Sequence, residues 1–400
     1  MSPHVDVCVL GLGYIGLPTA SLLATRGLRV HGVDVVQERV DAVLQGTLSS
    51  PEPDLDVLVR SAVGSGNLAA GFEPVPADVF VIAVPTPLAD DGPDMSAVES
   101  ATRSIAPLLR PGNLVILEST SPVGTTEEIV APLIEELGHA VGDEILLAYS
   151  PERVLPGRIL LELVQNDRIV GGVTPASTEA AIRFYKQFVH GQVLPATART
   201  AELVKLAENS FRDVNIAFAN ELATICDRED ISIWEVVQLA NRHPRVDILR
   251  PGPGVGGHCI AVDPWFLVHR TPDAARLIRT AREVNDARPE WVVDRVRTAA
   301  RSYSLPTIAC LGLAFKANVE DLRASPALEI VRRLRESELG TLLVVEPNLQ
   351  RHDEFDLVEL SSALESADIV VVLVDHDEFR ELDPSLFSGK LLIDTRGLYP

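Results

Sequence analysis

The stretch from His4 to Val35, HVDVCVLGLGYIGLPTASLLATRGLRVHGVDV, constrains the fold more than any other part of the chain. It predicts an apolar strand, a glycine turn, an amphipathic helix that is capped at Gly27, and a second strand that ends at Asp34. Together these elements make one βαβ unit, whose two strands lie parallel. The N-terminal region is therefore predicted to contain a parallel sheet.

Three more apolar segments follow, with helical patterns between them. DVFVIAVPTP, NLVILEST and EILLAYSPER predict strands, and residues 96–109 and 124–138 predict helices. Continuous apolar strands that alternate with helices belong to sheets that are covered on both faces. This region is predicted to be a doubly wound α/β domain.

The pattern changes near residue 199. A long helical register runs from 199 to 241, further helices follow a loop at 242–264, and strands alternate with helices again after residue 306. Four hundred residues also exceed the usual size of a single core. The sequence predicts two Rossmann-like doubly wound parallel-sheet domains joined by a helical central domain with a long helix, with boundaries at 1–198, 199–300 and 301–400.

The charge and hydropathy of the chain limit the classes of molecule that it can bind. Lys and Arg number 35 and Asp and Glu 57, so the formal net charge is -22, which repels nucleic acid and acidic membrane surfaces. The N-terminus has no basic region before its apolar run, and no apolar stretch reaches the length of a membrane span. We expect a cytoplasmic protein that binds neither nucleic acid nor membrane, and that holds an anionic ligand only through locally concentrated cations.

The four cysteines are too few and too scattered for a disulfide framework. Cys8 and Cys310 lie in apolar strands and Cys226 lies on an apolar helical face, so all three are predicted to be core residues. Cys259 lies in the loop PGPGVGGHCIAVDPWF, where glycines and prolines leave a thiol accessible. His258 and Cys259 lack the second ligand pair of a zinc site, and we expect no metal.

The motif GLGYIG matches the fingerprint GxGxxG between a strand and a helix. Gly11 permits the tight turn, Gly13 lets the backbone approach a pyrophosphate, and Gly16 allows close helix packing. Asp34 ends the second strand, where a carboxylate accepts a ribose 2'-OH and repels a 2'-phosphate. These features predict NAD rather than NADP, with a ligand-free structural unit as the alternative.

Hydroxyl groups follow two later strands of the same domain, at Thr86 in VPTP and at Thr120 in ESTSPVGTT. Strand ends line the ligand crevice of a doubly wound sheet, so both hydroxyls could reach the cofactor. Ordinary turn and capping chemistry is the alternative interpretation.

Lysine is rare, with only four in the chain, so its positions are informative. Lys205, Asn209 and Arg212 are spaced i, i+4, i+7 and share one face of the long helix. An amine has a tunable pKa that a guanidinium lacks, which suits an acid or base. A solvated charged face is the alternative.

Two loops bring further candidates. In the first, the glycines around Cys259 would let a substrate and the NAD ring approach the thiol from both sides, with Asp263 four residues on. In the second, GLAFKANVEDLRASPALEI, Lys316 and Arg323 would lie on a crevice rim; alternatively, Arg323 and Asp321 form a surface pair while Ser325 caps the helix.

An NAD site, an accessible thiol and a lysine base together favour oxidation beyond the aldehyde. One hydride transfer from an alcohol needs only a base, whereas a cysteine allows a thiohemiacetal, a second hydride transfer and a thioester that water cleaves. The cationic loop and the second α/β domain suggest an alcohol on a phosphate-bearing or nucleotide handle.

Over nearly its whole length the chain resembles the UDP-glucose/GDP-mannose dehydrogenase family. The segments ENSFRDVNIAFANEL, NRHPRV and GPGVGGHCIAVDPWF carry the likeness, and it is closest to members that act on UDP-N-acetyl-D-mannosamine. The resemblance implies an N-terminal NAD-binding domain, a central helical domain that dimerises and carries catalytic groups, and a C-terminal domain that binds the UDP-sugar.

The resemblance also implies roles for individual residues. Cys259 would be the nucleophile and Lys205 the proton donor and acceptor, while Asn209 and Asp263 would assist through a bound water. Glu152 and Thr120 would help in the hydrolytic step. The matching positions for NAD are Tyr14, Ile15, Asp34, Thr86, Thr120 and Arg323. Those for the nucleotide sugar are Arg153, Val154, Lys205, Asn209, Arg212, His243, Arg245, Gly256, Phe315, Lys316 and Arg396.

A homodimer is also implied, with His243 and Arg245 reaching into the partner's site. The expected reaction is the NAD-dependent, four-electron oxidation of UDP-N-acetyl-D-mannosamine to its uronate, for envelope or capsule polysaccharide. The alternatives are a 6-dehydrogenase of UDP-N-acetylglucosamine, a single-step sugar dehydrogenase without a covalent intermediate, and a non-catalytic NAD-binding regulator.

Overall fold

The structure is a computed structural model that describes residues 4–46, 52–89, 92–155 and 157–399. The chain divides into two compact units, Met1–Ala207 and Glu208–Pro400.

The first unit consists of strands and helices in alternation. Its strands are β1 (Val5–Leu10), β2 (Val30–Val33), β3 (Leu68–Gly71), β4 (Ala77–Ile82), β5 (Leu88–Ala89), β6 (Gly92–Pro93), β7 (Leu114–Leu117), β8 (Leu146–Tyr149), β9 (Arg168–Gly172) and β10 (Val193–Thr197). Its helices are α1 (Gly16–Thr25), α2 (Gln37–Gln45), α3 (Leu55–Gly64), α4 (Ser96–Ile105), α5 (Ala131–Glu135), α6 (Ile159–Gln165) and α7 (Pro175–Tyr185), with a 3-10 turn at Ala106–Leu108 and a π-helical turn at Thr126–Val130. The strands and helices predicted from the sequence are all present.

Eight of these strands form one sheet in the order β10-β9-β8-β7-β4-β1-β2-β3. All neighbouring pairs are parallel except β8 and β9, which run antiparallel. The order β3-β2-β1-β4 places a topological switch point between β1 and β4, where doubly wound sheets bind ligands. Apolar side chains fill both faces of the sheet, as the continuous apolar strands predicted.

Helix α1 differs from its predicted amphipathic character. Every residue from Gly16 to Ala24 is buried, because α1 packs against α3 and α6 as well as the sheet. The predicted cap is present: Gly27 has a φ of +94°, a conformation that favours glycine.

Helix α8 (Ala198–Arg228) has 31 residues and is the long helix predicted from the sequence. The other helices of the second unit are α9 (Ile233–Ala240), α10 (Asp263–Arg270), α11 (Arg276–Asp286), α12 (Arg288–Ala300), α13 (Pro326–Glu336), α14 (Leu360–Ser366) and α15 (Asp377–Arg380), with a 3-10 turn at Pro384–Phe387. Its strands are β11 (Thr307–Leu311), β12 (Thr341–Val345), β13 (Ile369–Val372) and β14 (Leu391–Asp394).

These four strands form an all-parallel sheet in the order β12-β11-β13-β14, with apolar side chains on both faces. The switch point of this sheet lies between β11 and β13. The fold therefore has an N-terminal and a C-terminal Rossmann-like sheet with a helical region between them. The predicted boundaries at 198 and 300 remain a proposal.

Among the described residues, no helix combines the length and the apolar character that crossing a bilayer requires.

Candidate active site

The glycine turn after β1 forms an open cradle. Gly11 has a φ of +94°, and a Cβ there would lie 2.4 Å from the carbonyl oxygen of Ala83 after β4. A Cβ on Gly16 would lie 1.8 Å from the carbonyl oxygen of Gly11, whereas one on Gly13 would meet nothing within 4 Å. Internal packing therefore requires glycine at positions 11 and 16, whereas Gly13 faces open space in which a pyrophosphate could lie.

Asp34 at the end of β2 braces this turn. Its carboxylate is buried and accepts hydrogen bonds from the backbone N–H of Leu12 (2.8 Å) and Val36 (2.9 Å), and from the guanidinium of Arg39 (3.2 Å). A carboxylate has about four acceptor positions, so one remains for a ribose hydroxyl. Tyr14, which is 45% exposed, and the half-buried Ile15 complete the turn.

The two predicted threonines lie together. Thr86 donates its hydroxyl hydrogen bond to the backbone oxygen of Thr120 at 2.6 Å, which joins the loops after β4 and β7. This is the turn chemistry considered as the alternative. The Thr86 oxygen can still accept a bond, so contact with a cofactor remains a prediction.

Glu152 lies in the loop after β8 and is held at both oxygens. Arg168 donates to Oε2 at 2.5 Å, and the backbone N–H of Arg153 donates to Oε1 at 2.6 Å. The Arg153 guanidinium donates to the backbone oxygen of Asp167, and Val154 packs against the core. The loop thus presents a carboxylate of fixed orientation.

Lys205 is a buried cation on α8, with only 9% of its surface exposed. No residue among those described up to Ala207 pairs with its ammonium group. Burial of an unpaired charge is costly, and a lysine kept in such a place suits proton transfer. Its neighbour Glu202 has a structural role, because its carboxylate accepts bonds from Gly124 N–H and from Thr126 N–H and hydroxyl.

In the second unit, Asn209 and Asp263 form a direct pair. The Asn209 amide donates to Asp263 Oδ2 at 2.6 Å, and both side chains are buried. Cys259 is exposed and precedes α10 by one turn, since its carbonyl accepts from the backbone N–H of Asp263 at 2.9 Å. Cys259 and Asp263 therefore lie at the start of α10, and Asn209 of α8 contacts that helix start through Asp263.

The other three cysteines are buried, as predicted. Burial raises the pKa of Cys8 to about 11 and that of Cys310 to about 12, so these thiols are inert.

The glycines before Cys259 pack closely against a neighbouring segment. A Cβ on Gly256 would lie 2.6 Å from the carbonyl oxygen of Ala324 and 2.8 Å from the Phe315 Cβ. Gly257 has a φ of +81°, and a Cβ there would lie 2.9 Å from the Phe315 ring. These glycines let the cysteine loop pack against the segment after β11, and the approach of a substrate and the NAD ring stays a prediction.

A cavity of about 270 Å³ lies at the switch point of the second sheet. The loops after β11 and β13 line it, with Phe315 and Lys316 from one and Asp375 from the other. Arg396 also lines it and is fixed by Asp375, which accepts from its Nε at 2.9 Å. The cavity thus offers the cation of Lys316, the Arg396 guanidinium paired with Asp375, and an aromatic ring, and this excess of positive charge suits a nucleotide diphosphate.

Arg323 forms the surface pair considered as the alternative. Its Nε lies 2.9 Å from Asp321 Oδ1, and Ser325 caps α13 by accepting from the backbone N–H of Leu328. Contact between Arg323 and NAD stays a prediction.

His243, Arg245 and Arg212 are exposed. The first two lie on a loop closed by Asn241, whose amide donates to the Ile248 carbonyl at 2.9 Å and accepts from its N–H at 2.7 Å. The loop is therefore exposed and closed at its base by two hydrogen bonds.

Sequence similarity identifies the family. Models of the UDP-glucose/GDP-mannose dehydrogenase family match residues 5–189 (NAD binding domain), 199–287 (central domain) and 309–400 (UDP binding domain). The chain belongs to the UDP-glucose/GDP-mannose dehydrogenase family. Members of this family are NAD-dependent oxidoreductases, so NAD is the cofactor of the first unit and the open cradle at Gly13 fits it.

Individual relatives cover almost the whole chain. An NDP-N-acetyl-D-galactosaminuronic acid dehydrogenase of Ralstonia solanacearum is 56% identical over 98% of this chain and 96% of its own length. A UDP-N-acetyl-D-mannosamine dehydrogenase of Campylobacter jejuni is 53% identical over 96% and 98%. The structure of a UDP-N-acetyl-D-mannosamine dehydrogenase from Pyrococcus horikoshii superposes with a TM-score of 0.91 at 39% identity, covering 99% of this chain and 96% of that one.

Several residues of this dehydrogenase fold that support the candidate site were missed in the sequence. Asn220 accepts from the backbone N–H of Gly252 at 2.9 Å, and Arg288 donates to the Gly252 carbonyl at 3.1 Å, so the start of the cysteine loop is clamped. In the first unit, the buried Glu118 and Arg168 lie behind Glu152. A charged residue at the end of an apolar strand in NLVILEST, and one at the start of an apolar strand in NDRIVGG, were the available signals.

The predicted site residues divide between the two units. The first holds Gly11, Gly13, Tyr14, Ile15, Gly16, Asp34, Thr86, Thr120, Glu152, Arg153, Val154 and Lys205, and the second holds Asn209, Arg212, His243, Arg245, Gly256, Cys259, Asp263, Phe315, Lys316, Arg323 and Arg396.

Proposed function

We propose that the chain oxidises UDP-N-acetyl-D-mannosamine to UDP-N-acetyl-D-mannosaminuronate through a thioester on Cys259. The observation that carries the proposal is the exposed thiol of Cys259 one turn before the buried Asn209–Asp263 pair, because a covalent nucleophile must be reachable and supported by fixed polar groups. Relatives at 50–53% identity named UDP-N-acetyl-D-mannosamine dehydrogenase support the substrate.

The reaction balances as follows. The primary alcohol loses two electrons to become an aldehyde, the Cys259 sulfur adds to it, and the resulting thiohemiacetal loses two more electrons to become a thioester. NAD supplies the electron acceptor in both oxidations, so two NAD are reduced per substrate. Water then cleaves the thioester, which releases the carboxylate and regenerates the thiol.

Residues of both units contribute to these steps in the proposal. Lys205 exchanges the proton of the reacting oxygen, since its buried ammonium has no ion-pair partner in the first unit. Asn209 and Asp263 orient a water, and Glu152, aided by Thr120, activates water for the hydrolysis. The cavity at Lys316 and the residues Arg153, Val154, Arg212, Gly256, Phe315 and Arg396 bind the nucleotide sugar.

A second substrate has its own support. The Ralstonia solanacearum relative, at 56% identity, is named for an N-acetyl-D-galactosaminuronic acid product. Galacto and gluco sugars differ at C4, and gluco and manno sugars differ at C2. Hydrogen bonds to one hydroxyl or amide can separate such epimers strongly, so the choice has to be measured.

The deciding experiment offers UDP-N-acetylmannosamine, UDP-N-acetylglucosamine and UDP-N-acetylgalactosamine with NAD and records NADH per substrate consumed. We expect two NADH per substrate and the highest kcat/KM with the manno sugar. Preference for another sugar would replace the substrate assignment, and a ratio of one would indicate a single-step dehydrogenase. Failure to reduce NAD with any UDP-sugar would favour a non-catalytic regulator. With Cys259→Ser, we expect multiple turnovers to stop.

We also propose a homodimer that forms along α8. Phe211, Phe218 and Ile225 are spaced by seven residues on this helix and are 70%, 52% and 49% exposed. A heptad-spaced apolar stripe is the seam of a helix pair, and large apolar side chains in a row are seldom left in water. The exposed loop with His243 and Arg245 would then enter the site of the partner.

Subunit mixing tests this arrangement. Cys259→Ser and Arg245→Ala dimers should each have little activity, but a mixed dimer has one site with both an intact cysteine and an intact arginine. Random reassortment would restore roughly a quarter of the wild-type activity. No recovery on mixing, with exchange verified by native mass spectrometry, would mean that Arg245 acts within its own chain. Phe218→Glu should yield monomers by analytical ultracentrifugation.

A further inference from the structure

The antiparallel pair β8–β9 of the eight-stranded sheet brings an arginine next to Glu152. Strand β9 runs opposite to β8, with Tyr149 paired to Gly171. Arg168 is the first residue of β9, so this reversal places it beside the end of β8, where Ser150 and the loop with Glu152 begin. If β9 ran parallel to β8, its first residue would lie at the opposite end of the strands, next to the start of β8.

Arg168 is fixed from several directions. Its Nε donates to the Ser150 hydroxyl at 3.1 Å, its guanidinium lies 4.3 Å from the centre of the Tyr185 ring, and its NH2 group lies 3.4 Å from Glu118 Oε1. The side chain is 6% exposed. The remaining contact of NH2 is Glu152 Oε2 at 2.5 Å, so the orientation of Glu152 follows from that of Arg168.

Two carboxylates share this one guanidinium, and their environments differ. Glu118 is completely buried, accepts from the Tyr185 hydroxyl at 2.6 Å, and has no hydrogen-bond partner for Oε2 among the described residues. Burial raises the pKa of Glu118, against the lowering effect of Arg168 and with a further increase from the charge of Glu152. Burial therefore favours the protonated form of Glu118.

We propose that Arg168 is the positioning residue for Glu152: held by Glu118, Ser150 and Tyr185, it aligns the Glu152 carboxylate for activating the water that cleaves the thioester. This inference rests on the proposed function, in which Glu152 acts in hydrolysis. Arg168 acts only through Glu152, so replacing it should slow the hydrolysis step alone. Both oxidations should proceed without it.

The experiment uses Arg168→Lys in the full-length protein, with UDP-N-acetylmannosamine and NAD. The planar guanidinium of arginine reaches several acceptors at once, whereas a lysine has a single ammonium group. The lysine therefore cannot hold Glu152 and Glu118 in the same way. We expect a rapid burst of two NADH per active site followed by a kcat that is about tenfold to a hundredfold lower. Intact-protein mass spectrometry should show the acyl group on the enzyme.

Two further variants keep the test decisive if Arg168→Lys does not fold. Tyr185→Phe removes the hydroxyl that binds Glu118 and keeps the ring beneath Arg168, so it should show a milder form of the same burst, with acyl-enzyme detectable by mass spectrometry. Arg103→Lys alters an exposed ion pair of the same unit and should behave as wild type.

Glu152→Gln separates the two proposals. If it accumulates the acyl-enzyme while Arg168→Lys and Tyr185→Phe hydrolyse at the wild-type rate, the role of Arg168 is wrong and the proposed function stands. If Glu152→Gln turns over normally, the hydrolytic role of Glu152 and the role of Arg168 are both wrong. If Cys259→Ser still reduces two NAD per substrate over many turnovers, the proposed function itself fails. Equal slowing of the burst and of the steady state in Arg168→Lys would indicate a merely structural role and would also overturn the inference.

Discussion

Alanine substitutions in the glycine turn should separate folding from cofactor binding. A methyl group on Gly13 would meet no protein atom within 4 Å, and no positive φ strains this position. A methyl group on Gly16 would lie 1.8 Å from the backbone oxygen of Gly11. Gly64, at the exposed end of α3, has the same open surroundings as Gly13 and serves as the matched control.

The magnitudes follow from these distances. Gly13→Ala and Gly64→Ala should each change the free energy of unfolding by less than about 1 kcal/mol, and in the stabilising direction, because alanine restricts the unfolded chain. Gly16→Ala forces the backbone apart and should lose about 3 kcal/mol or more. If the methyl on Gly13 prevents one backbone N–H from reaching a phosphate oxygen, the loss is about 1.5–3 kcal/mol, or a Kd for NAD raised about 10- to 150-fold.

The assay is calorimetric titration of NAD into each variant, with thermal unfolding measured on the same samples. We expect Gly13→Ala to unfold like wild type and to bind NAD weakly, and Gly64→Ala to match wild type in both. Wild-type affinity in Gly13→Ala would refute the assignment of this turn to the pyrophosphate. A large loss of stability in Gly13→Ala would refute the packing argument.

Three further predictions concern the second unit and the thiols. Under native conditions iodoacetamide should add one label per chain, at Cys259, since the other three thiols are buried; labelling of Cys259→Ser at a comparable rate would contradict this. Burial opposes ionisation of Glu346, yet hydrogen bonds from His376 and from backbone N–H groups lower its pKa from 4.5 to about 2. The stabilisation that the ionised Glu346 carboxylate gives is complete above pH 4.5 and is lost as the pH falls toward 2. The Tm of wild type should therefore drop more steeply over this range than that of Glu346→Gln. Parallel curves of Tm against pH would exclude the effect. Asn220→Ala leaves the buried N–H of Gly252 and the buried amide oxygen of Asn285 without partners, which should lower the free energy of unfolding by about 1–3 kcal/mol for each group. Urea unfolding would measure this loss, and hydrogen exchange at Gly252 should become faster. Exchange at the wild-type rate would argue against a role of Asn220 in holding the loop.

Features that depend on local pattern could be predicted from the sequence. The strand, glycine turn and helix of residues 4–35 follow from periodicity and backbone geometry, which act over a few residues. The burial of three cysteines and the exposure of Cys259 follow from the apolar or glycine-rich character of their own segments.

Other features arise from pairs of residues that are distant in the chain. The helix predicted at 124–138 begins with the π-helical turn Thr126–Val130, where Glu202, from another helix, accepts from the Thr126 N–H. The sequence predicted only that the glycines before Cys259 make room for ligands, and it gave no sign that Gly256 and Gly257 pack against Phe315. Local patterns contain no information about such partners.

The sequence by itself determined the elements, the glycine fingerprint and the reachable thiol, because each depends on neighbouring residues and on the periods of helices and strands. Only the tertiary structure decided the surroundings of the acidic and basic groups. Glu118 and Glu152 share Arg168 because β9 runs antiparallel to β8, and that direction is set by long-range packing. Hydrogen bonding and the dielectric environment act through space, so the chemistry of these carboxylates depends on contacts between segments far apart in the chain.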